Sequence, residues 1–414
     1  MNVFEATEIL VPQNVDMEKW SVIACDQFTS QPEYWARVEE LVKEAPSTLK
    51  LIFPEAKLGE ESAELVSNIK STMERYMKEE VFEEYKNSFI YVERTLLDGT
   101  IRKGIVGAIN LEEYDYSPYS QSAIRATEKT VVERIPPRKV IRENAMLELP
   151  HILLFSDDEK DIMCGYLASV KEQLPLLYSF DLMEEGGHIE GRLVGGDTVS
   201  VFMEKLEAYG DFIQYKYANS KKTPMMFAVA DGNHSLATAK ACYEDIRLKN
   251  QGKDLTNHPA RFALVEMVNI HDEAQNFEPI HRIVKNVDVN ALLGALILDS
   301  CAEEGYPMKW YSGEKQGTIY LDQEKGQLPI GILQNFLDEY LSVHLGVIDY
   351  IHGEDVVKRL AKEANSIGFA LPAIEKDKFF KGIIEDGVLP RKTFSTGHAQ
   401  EKRYYLEARK IVED

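Results

Sequence analysis

Short apolar runs alternate with longer segments of helical spacing along this chain, and this alternation restricts the fold classes open to it. The clearest example is Met225–Ala230, which is followed by the polar turn Asp231–Ser235 and by a helical pattern over Leu236–Leu248. Another apolar run, Arg261–Asn269, comes next. Strands that alternate with helices are typical of α/β or α+β proteins with a mixed sheet, and we predict this class.

Three further segments carry local predictions. The runs Ser88–Arg94 and Ile101–Asn110 flank Asp98-Gly99, a dipeptide that favours the turn of a β-hairpin. The run Trp20–Cys25 predicts a short buried strand. The pair Pro136-Pro137 predicts a break in any helix that contains it.

The length of 414 residues predicts more than one structural region. A single hydrophobic core usually stops growing at roughly 250–300 residues. The pattern changes near residues 285–290, so we expect one region over residues 1–287 and a C-terminal α/β region over residues 288–414.

The charge of the chain argues against polyanionic partners. It has 47 Lys and Arg against 69 Asp and Glu, a formal net charge of −22. Binding to nucleic acid or to an anionic membrane requires a positive surface, so neither is expected as a partner. Four scattered cysteines, no basic and apolar leader, and no apolar run of about 20 residues favour a cytoplasmic protein.

Familiar phosphate and metal motifs are missing from the sequence. It contains neither the G-x-x-x-x-G-K-[ST] loop nor a strand-linked G-x-G-x-x-G, and it lacks G-x-S-x-G and H-E-x-x-H. The most common nucleotide, hydrolase and zinc folds are therefore disfavoured.

The turn Asp231–Ser235 is the strongest candidate for chemistry. It lies between an apolar strand and a helix, and the start of a helix attracts anions through its backbone N–H groups. Asp231 is suited to holding Mg²⁺ or accepting a proton, and His234 to donating to a phosphoryl oxygen. Asn233 and Ser235 are candidate helix caps. The alternative is a capped turn without a ligand.

A basic segment, defined as residues 125–142, stands out in this acidic chain. Its cations are Arg125, Lys129, Arg134, Arg138, Lys139 and Arg142. Arg favours bidentate contacts to phosphate, and Lys supplies a point charge. The acidic residues Glu128, Glu133 and Glu143 leave open the alternative of a solvated surface of paired charges.

Two more polar stretches are candidates for substrate contacts. Asp26, Gln27, Thr29 and Ser30 follow the predicted strand that ends at Cys25. Asp26 is a candidate base, and the alternative is a helix-capping run with Ser30 or Thr29 as the cap. The C-terminal segment, residues 389–405, is rich in cations and hydroxyls, including Arg391, Lys392, Thr393, Ser395, His398, Lys402 and Arg403.

Several motifs together resemble the domain-of-unknown-function (DUF) family 1015. They are ACDQFTSQPEYW, ATEKTVVERIPPR, RENAMLELPH, ADGNHSLATAKA, HPARFALVEMVNIHD, FEPIHR and PRKTFSTGHAQEKRYYLEAR, and they extend over nearly the whole chain. The turn matches the D-G-H-H-R element of many relatives, with Asn233 in place of a histidine and Ser235 in place of an arginine. Lys392-Thr393 matches the P-x-K-[ST] element.

The resemblance implies a ParB/sulfiredoxin-like core with large elaborations, whose last segment returns to the active-site cleft. It also implies a relation to free L-serine kinases, among them pyrophosphate-dependent ones. A transferase of this kind would neutralise its donor with Mg²⁺ and with the cations of the basic and C-terminal segments. Because no nucleotide motif is visible, pyrophosphate is the favoured donor, with ATP or ADP as alternatives.

These considerations assign a role to each candidate residue. Asp231, His234 and Asp26 are expected to be catalytic, with Asp231 also a metal ligand. Phosphate is expected to contact Asn233, Ser235, Arg125, Lys129, Arg134, Arg138, Lys392, Thr393 and Arg403. Substrate is expected to contact Gln27, Thr29, Ser30 and His398. The alternatives are a ParB-like nucleotide-binding regulatory switch and a catalytically silent relative.

Overall fold

The computed structural model describes residues 3–57, 62–143, 145–301, 304–390 and 392–413. The helices are α1 (Met17–Trp20), α2 (Pro32–Val42), α3 (Ala63–Lys78), α4 (Ile135–Arg142), α5 (Cys164–Val170), α6 (Asp197–Lys216), α7 (Asn233–Lys249), α8 (Val289–Asp299), α9 (Pro329–Val343), α10 (Glu354–Leu360) and α11 (Lys376–Asp386). None of the helices in these ranges combines the length and the apolar character that a membrane crossing requires.

The strands belong to two large sheets and one small one. They are β1 (Phe4–Glu5), β2 (Thr7–Pro12), β3 (Phe82–Thr95), β4 (Ile101–Asn110), β5 (Tyr114–Asp115), β6 (Ile124–Ala126), β7 (Leu147–Glu148), β8 (Leu153–Ser156), β9 (Leu176–Asp181), β10 (His188–Val194), β11 (Phe227–Asp231), β12 (Phe262–Asn269), β13 (Phe277–Lys285), β14 (Tyr306–Ser312), β15 (Lys315–Leu321), β16 (Val347–His352), β17 (Ile367–Ala370), β18 (Phe394–Thr396) and β19 (Arg409–Lys410).

The first sheet is mixed. Its order is β5-β6-β11-β8-β12-β4-β3-β10-β9, with β1 added to β4 and β2 added to β3. Strands β6 and β11 run parallel, as do β8 and β12, whereas β8 is antiparallel to β11. The prediction of a mixed α/β fold is confirmed.

The second sheet lies in the C-terminal part of the chain. Its order is β15-β14-β17-β13-β16, and β18 pairs with another part of β13. The sheet therefore begins at Phe277, ten residues before the boundary expected at residue 287. The strand β13 follows the last strand of the first sheet in the chain and pairs with three strands of the second, β16, β17 and β18.

The two sheets share one apolar core. Phe155 of β8 lies 5.6 Å from Phe277 of β13, measured between ring centroids, and Phe277 lies 5.1 Å from Phe394 of β18. Phe379 of α11 contacts all three rings. Because these aromatic side chains interlock, the second sheet is fixed against the first, and the space between them has defined walls.

The end of the chain returns to its beginning. The indole N–H of Trp20 donates to the carbonyl of Leu406 at 2.9 Å, and Tyr405 donates its backbone N–H to Val22 at 2.8 Å. Ala408 and Leu10 exchange two backbone hydrogen bonds. The last residues thus complete the core around the N-terminal segment.

Two of the three local predictions need correction, and the hairpin is confirmed. Strands β3 and β4 pair antiparallel around Asp98-Gly99. The run Trp20–Cys25 forms only an isolated bridge, between Ile23 and Tyr404, because its partner is the C-terminal segment rather than a sheet. Pro136-Pro137 lies in the first turn of α4, where the missing N–H groups of proline cost no helical hydrogen bond.

Candidate active site

Two neighbouring parallel strands bring two of the predicted segments together. Ala126 at the end of β6 is one residue beyond Arg125, which is paired with Ala228 of β11. The chain leaves both strands at the same edge of the sheet, so the basic segment begins beside the turn that follows Asp231. The backbone N–H of Thr127 donates to Asn233 Oδ1 at 3.3 Å, which fixes the two turns to each other.

The turn after β11 depends on glycine. Gly232 has φ of +80° and directly precedes α7, and a Cβ there would lie 3.0–3.1 Å from atoms of Ile152. The first hydrogen bond within the helix is donated by the Leu236 N–H to Gly232 O at 3.0 Å. The backbone N–H groups before Leu236 therefore have no acceptor within the helix and point away from its N-terminal end. His234 Nε2 accepts from the backbone N–H of Val131 at 3.3 Å, which holds the basic segment over this helix end.

A cleft of about 730 Å³ lies between this turn and the second sheet. Its walls include nine of the predicted site residues: Asp26, Gln27, Lys129, Arg134, Asp231, Asn233, His234, Ser235 and Lys392. Three cations of the basic and C-terminal segments, Lys129, Arg134 and Lys392, therefore lie in one cleft with Asp231. Lys402 of the C-terminal segment adds an ion pair, with its Nζ 3.4 Å from Asp231 Oδ2.

The cleft carries charges of both signs. Lys129, Arg134 and Lys392 line it together with four carboxylates, those of Asp26, Glu55, Glu128 and Asp231. Burial and the charge of Asp231 raise the pKa of Asp26 above its ordinary value. Mixed charge of this kind suits an anion that brings its own divalent cation, because the cation offsets the carboxylates.

Glu128 is a cleft residue to which the sequence reasoning gave no role. Burial, opposed by hydrogen bonds from the backbone N–H groups of Thr393 and Lys392, and the charge of Asp231 leave its pKa raised to about 7. The same contacts hold the turn that presents Lys392 to the cleft. The sequence did contain a signal for Glu128, because it lies two residues after β6 and inside the basic segment. It was not selected because it is acidic.

The second sheet supplies the opposite wall, which was also not foreseen. Ile280, Tyr350 and His352 line the cleft from β13 and β16. Two cations contact the Tyr350 ring, with the Arg282 guanidinium at 4.6 Å and Lys392 Nζ at 5.3 Å from its centroid. Lys392 has φ of +54°, and Arg282 donates to its carbonyl at 3.0 Å, so the backbone at Lys392 is held in place by the second sheet.

Four predicted phosphate ligands do not line the cleft, and two of them, Arg125 and Arg403, are held inside the protein. Arg125 donates to the carbonyls of Ser122 and Thr223 at 2.9 and 2.5 Å, and burial lowers its pKa to about 10. Arg403 is buried behind the sheet between Glu266 and Glu407. Both guanidinium groups are held inside the protein by these contacts.

The remaining candidates are also placed elsewhere. Arg138 pairs with Glu55 at the cleft margin, and Thr393 Oγ1 donates to the Pro390 carbonyl at 2.5 Å. His398 caps a short 3₁₀ helix. Thr29 and Ser30 are exposed, and neither caps α2, whose N-cap is Gln31. Arg391 lies outside the described residues, as do the side chains of Ser395 and Thr396.

Two sets of acidic residues come into question for a metal ion. Asp157, Glu159 and His271 have ligand atoms within 4.8 Å of one another, but Lys216 Nζ lies 2.6 Å from oxygens of both carboxylates and supplies the positive charge there. In the cleft, the ammonium group of Lys402 lies farther from its carboxylate, 3.4 Å from Asp231 Oδ2, and Asp231 offers a carboxylate of the kind with which Mg²⁺ typically supplements phosphate oxygens. The donor chemistry of the cleft therefore fits Mg²⁺.

The comparisons with known proteins identify a family. The family model described as "Protein of unknown function (DUF1015)" matches residues 9–335. No curated protein matches the sequence.

Several solved structures resemble the chain at low identity. A mutant free serine kinase in complex with ADP is 11% identical, with a TM-score of 0.39, and the match covers 73% of this chain and 91% of that one. A free serine kinase in complex with AMP is 12% identical, with a TM-score of 0.38 and the same coverage. SbnI with a C-terminal truncation, from Staphylococcus aureus, is 10% identical, with a TM-score of 0.35 and coverage of 70% and 83%.

Proposed function

The chain belongs to the DUF1015 family, and on that premise we propose that it is a small-molecule phosphotransferase. It transfers a phosphoryl group from a phosphoanhydride donor, pyrophosphate in the first place, to the hydroxyl of free L-serine. One observation carries the proposal. The cations of two distant segments and the start of α7 converge with Asp26 and Asp231 on one cleft.

The donor is bound by groups that neutralise phosphate. Lys129, Arg134 and Lys392 supply positive charge, and the first-turn N–H groups of α7 supply hydrogen bonds. Asp231 would hold Mg²⁺, which would offset the negative charge that the phosphate oxygens meet at the cleft carboxylates. Pyrophosphate is favoured because its binding requires only positive charge and a metal ion. The cleft offers both cationic side chains and a carboxylate that could hold the metal.

The acceptor hydroxyl needs a base and an orientation. Asp26 has a raised pKa and lies at the cleft wall, and its carboxylate accepts from the side chain of Gln27 at 3.1 Å. A carboxylate with a raised pKa is a better proton acceptor near neutrality than an ordinary one. Gln27 then contacts the amino acid, and the family resemblance supplies L-serine as that amino acid.

The test is a parallel assay. The purified protein is incubated with L-serine, Mg²⁺ and pyrophosphate, ATP or ADP, and O-phosphoserine is measured by mass spectrometry. We expect product with pyrophosphate. Absence of O-phosphoserine from all three donors would refute the proposal, and product from ATP or ADP alone would reassign the donor.

A ParB-like nucleotide-binding switch is the second candidate, and Tyr350 favours it. Its ring lines the cleft, and an aromatic side chain in that position can stack on a base. A thermal-shift comparison separates the candidates. The switch requires a shift with a nucleotide and none with pyrophosphate or L-serine.

A further inference from the structure

A hydrogen-bonded series of side chains ends at the first turn of α7. Ser235 Oγ lies 2.9 Å from His151 Nε2, and His151 Nδ1 lies 2.8 Å from Tyr405 Oη. Tyr405 Oη also accepts from the backbone N–H of Cys25 at 3.2 Å. A hydroxyl, an imidazole and a third group that orients the imidazole are the parts of an activated nucleophile.

The surroundings of the three residues differ along the series. Tyr405 is 2% exposed and His151 is 6% exposed, whereas Ser235 is half-buried. All three line an apolar cavity of about 150 Å³, and Ser235 alone of them also lines the cleft. The imidazole is therefore shielded from water, while the hydroxyl reaches the space in which the donor binds.

A role for His151 as base requires the tautomer that carries its proton on Nδ1, the nitrogen that lies 2.8 Å from Tyr405 Oη. Burial raises the pKa of Tyr405 well above its ordinary value, so the phenol keeps its proton, and the Cys25 side chain is within hydrogen-bond reach of it. When the phenol donates to Cys25, its oxygen accepts from His151 Nδ1–H. His151 Nε2 then has its lone pair directed at Ser235 Oγ, which is the arrangement of a general base.

We propose that Ser235 is a nucleophile that receives the phosphoryl group before the acceptor does, with His151 as its base and Tyr405 as the positioning residue for His151. The inference rests on the proposed function only for its donor, a phosphoanhydride. It adds a covalent intermediate, phosphorylated Ser235, to the reaction at this cleft.

The two steps balance in atoms and protons. In the first, Ser235 Oγ forms a bond to the terminal phosphorus, the bridging P–O bond breaks, the leaving phosphate departs, and the Oγ proton passes to His151 Nε2. In the second, the hydroxyl of L-serine attacks the same phosphorus and loses its proton to Asp26, which then releases this proton to water. The Oγ–P bond breaks and His151 returns its proton to Oγ.

The start of α7 is suited to stabilising the charge that develops. Ser235 is the third residue of this 17-residue helix, and its phosphoryl oxygens would lie near the first-turn N–H groups. Lys129, Arg134 and Lys392 line the same cleft. These N–H groups and cations would therefore stabilise the negative charge that is spread over the transferred phosphoryl group.

Isotope exchange without L-serine tests the intermediate directly. A phosphoenzyme makes labelled inorganic phosphate enter pyrophosphate, and parallel arms follow labelled ADP into ATP and labelled AMP into ADP. Acid-quenched protein is digested, and the peptide that contains Ser235 is examined for one added phosphoryl group. We expect exchange and a phosphorylated Ser235, and the label should move to O-phosphoserine when L-serine is added.

Variants locate the effect. Ser235→Ala should abolish exchange, His151→Gln should slow it by roughly a thousandfold, and Tyr405→Phe should slow it by about tenfold with little change in the donor KM. The matched control is Ser342→Ala, on the exposed face of α9, which should exchange like the parent protein. Thermal unfolding of each variant verifies that it is folded, and Ser235→Thr, which keeps a hydroxyl, should retain part of the exchange.

Every outcome decides something. Formation of O-phosphoserine at the parental rate by Ser235→Ala, without labelled protein or exchange, would overturn the intermediate and leave the proposed function intact. Exchange with phosphorylated Ser235 but no O-phosphoserine would support the intermediate and refute L-serine as acceptor. No exchange, label or product with any of the three donors would overturn both.

Discussion

Two groups of charged side chains lie at opposite edges of the first sheet, beyond the carboxyl ends of the antiparallel neighbours β8 and β11. Asp157, which follows β8, is fully buried. Its oxygens contact Lys216 Nζ at 2.6 Å, Tyr217 Oη at 2.6 Å and His271 Nε2 at 2.7 Å. Asp231, at the end of β11, instead shares a cleft with other carboxylates whose pKa values are raised.

The difference separates a structural cluster from a functional one. Around Asp157, hydrogen-bond donors and a positive charge satisfy the carboxylate inside the protein, so nothing further is needed. Beside Asp231, the negative charges of the Asp26 and Glu128 carboxylates are only partly compensated by the protein. This lowers the free energy of unfolding. Such a cost is typical of a site that a charged ligand completes.

The largest effect that tests this difference is on turnover. Asp231→Asn removes the negative charge at the proposed metal and donor site, and we expect kcat to fall roughly a thousandfold, about 4 kcal/mol, with little loss of stability. Measurement of kcat and of urea unfolding checks this. Asp211→Asn, on the exposed face of α6, is the matched control. A stability loss as large as the loss in turnover would contradict the assignment.

The reciprocal variant should affect stability. Asp157→Asn leaves Lys216 and His271 facing a neutral amide, and breaking a buried ion pair costs about 3 kcal/mol. We expect a lower urea midpoint and an unchanged kcat per folded molecule, because this cluster lies across the sheet from the cleft. A folded protein with a much reduced kcat would show that the two clusters are coupled.

The next effect concerns pH and Glu128. The folded-state pKa is about 7 against an ordinary 4.5, so the folded protein holds the extra proton between these values and loses stability as pH rises through them. Glu128→Gln removes this term. We expect the variant to be about 2 kcal/mol more stable than the parent at pH 8, a gain that vanishes near pH 4.5.

Urea unfolding at both pH values measures the Glu128 effect. Glu207→Gln, on the exposed side of α6, is the matched control and should show no comparable pH-dependent gain. An equal gain at both pH values would indicate a contact effect rather than titration.

The smallest effect is expected at the cleft margin. Lys392→Ala removes one donor-binding charge, and we expect the donor KM to rise about tenfold, near 1.4 kcal/mol, with a smaller change in kcat. Steady-state kinetics with varied donor measure it. The control is Lys249→Ala, on the exposed end of α7. An unchanged KM would remove Lys392 from the donor site.

The sequence predicted those parts of the fold that depend on local pattern. The β3–β4 hairpin follows from a turn dipeptide, and the β11–α7 unit follows from an apolar run before a polar turn. Trp20–Cys25 could not be interpreted correctly, because its partner lies about 380 residues away in the chain. Pairing over such a distance leaves no trace in a local window.

The candidate site was predictable to the same extent. Residue type in a short window identified Asp231, Lys129 and Arg134 as candidates. It identified Arg125 equally well, because only the structure shows that the Arg125 guanidinium donates to a backbone carbonyl and does not line the cleft. Tyr350 and His151 were missed because each reaches the cleft or its neighbouring cavity through tertiary packing. The residue types of these two side chains can be read from the sequence, but their neighbours in the fold cannot.

The return of the C-terminal segment also has a kinetic consequence. Tyr405, Leu406 and Ala408 bond to residues between Leu10 and Val22, so these contacts have sequence separations close to the length of the chain. Contacts of such separation form late, because the intervening chain must first be ordered. Residues 10–22 therefore complete these contacts only after residues 405–408 have been synthesised, and His151 can meet Tyr405 only from that point on.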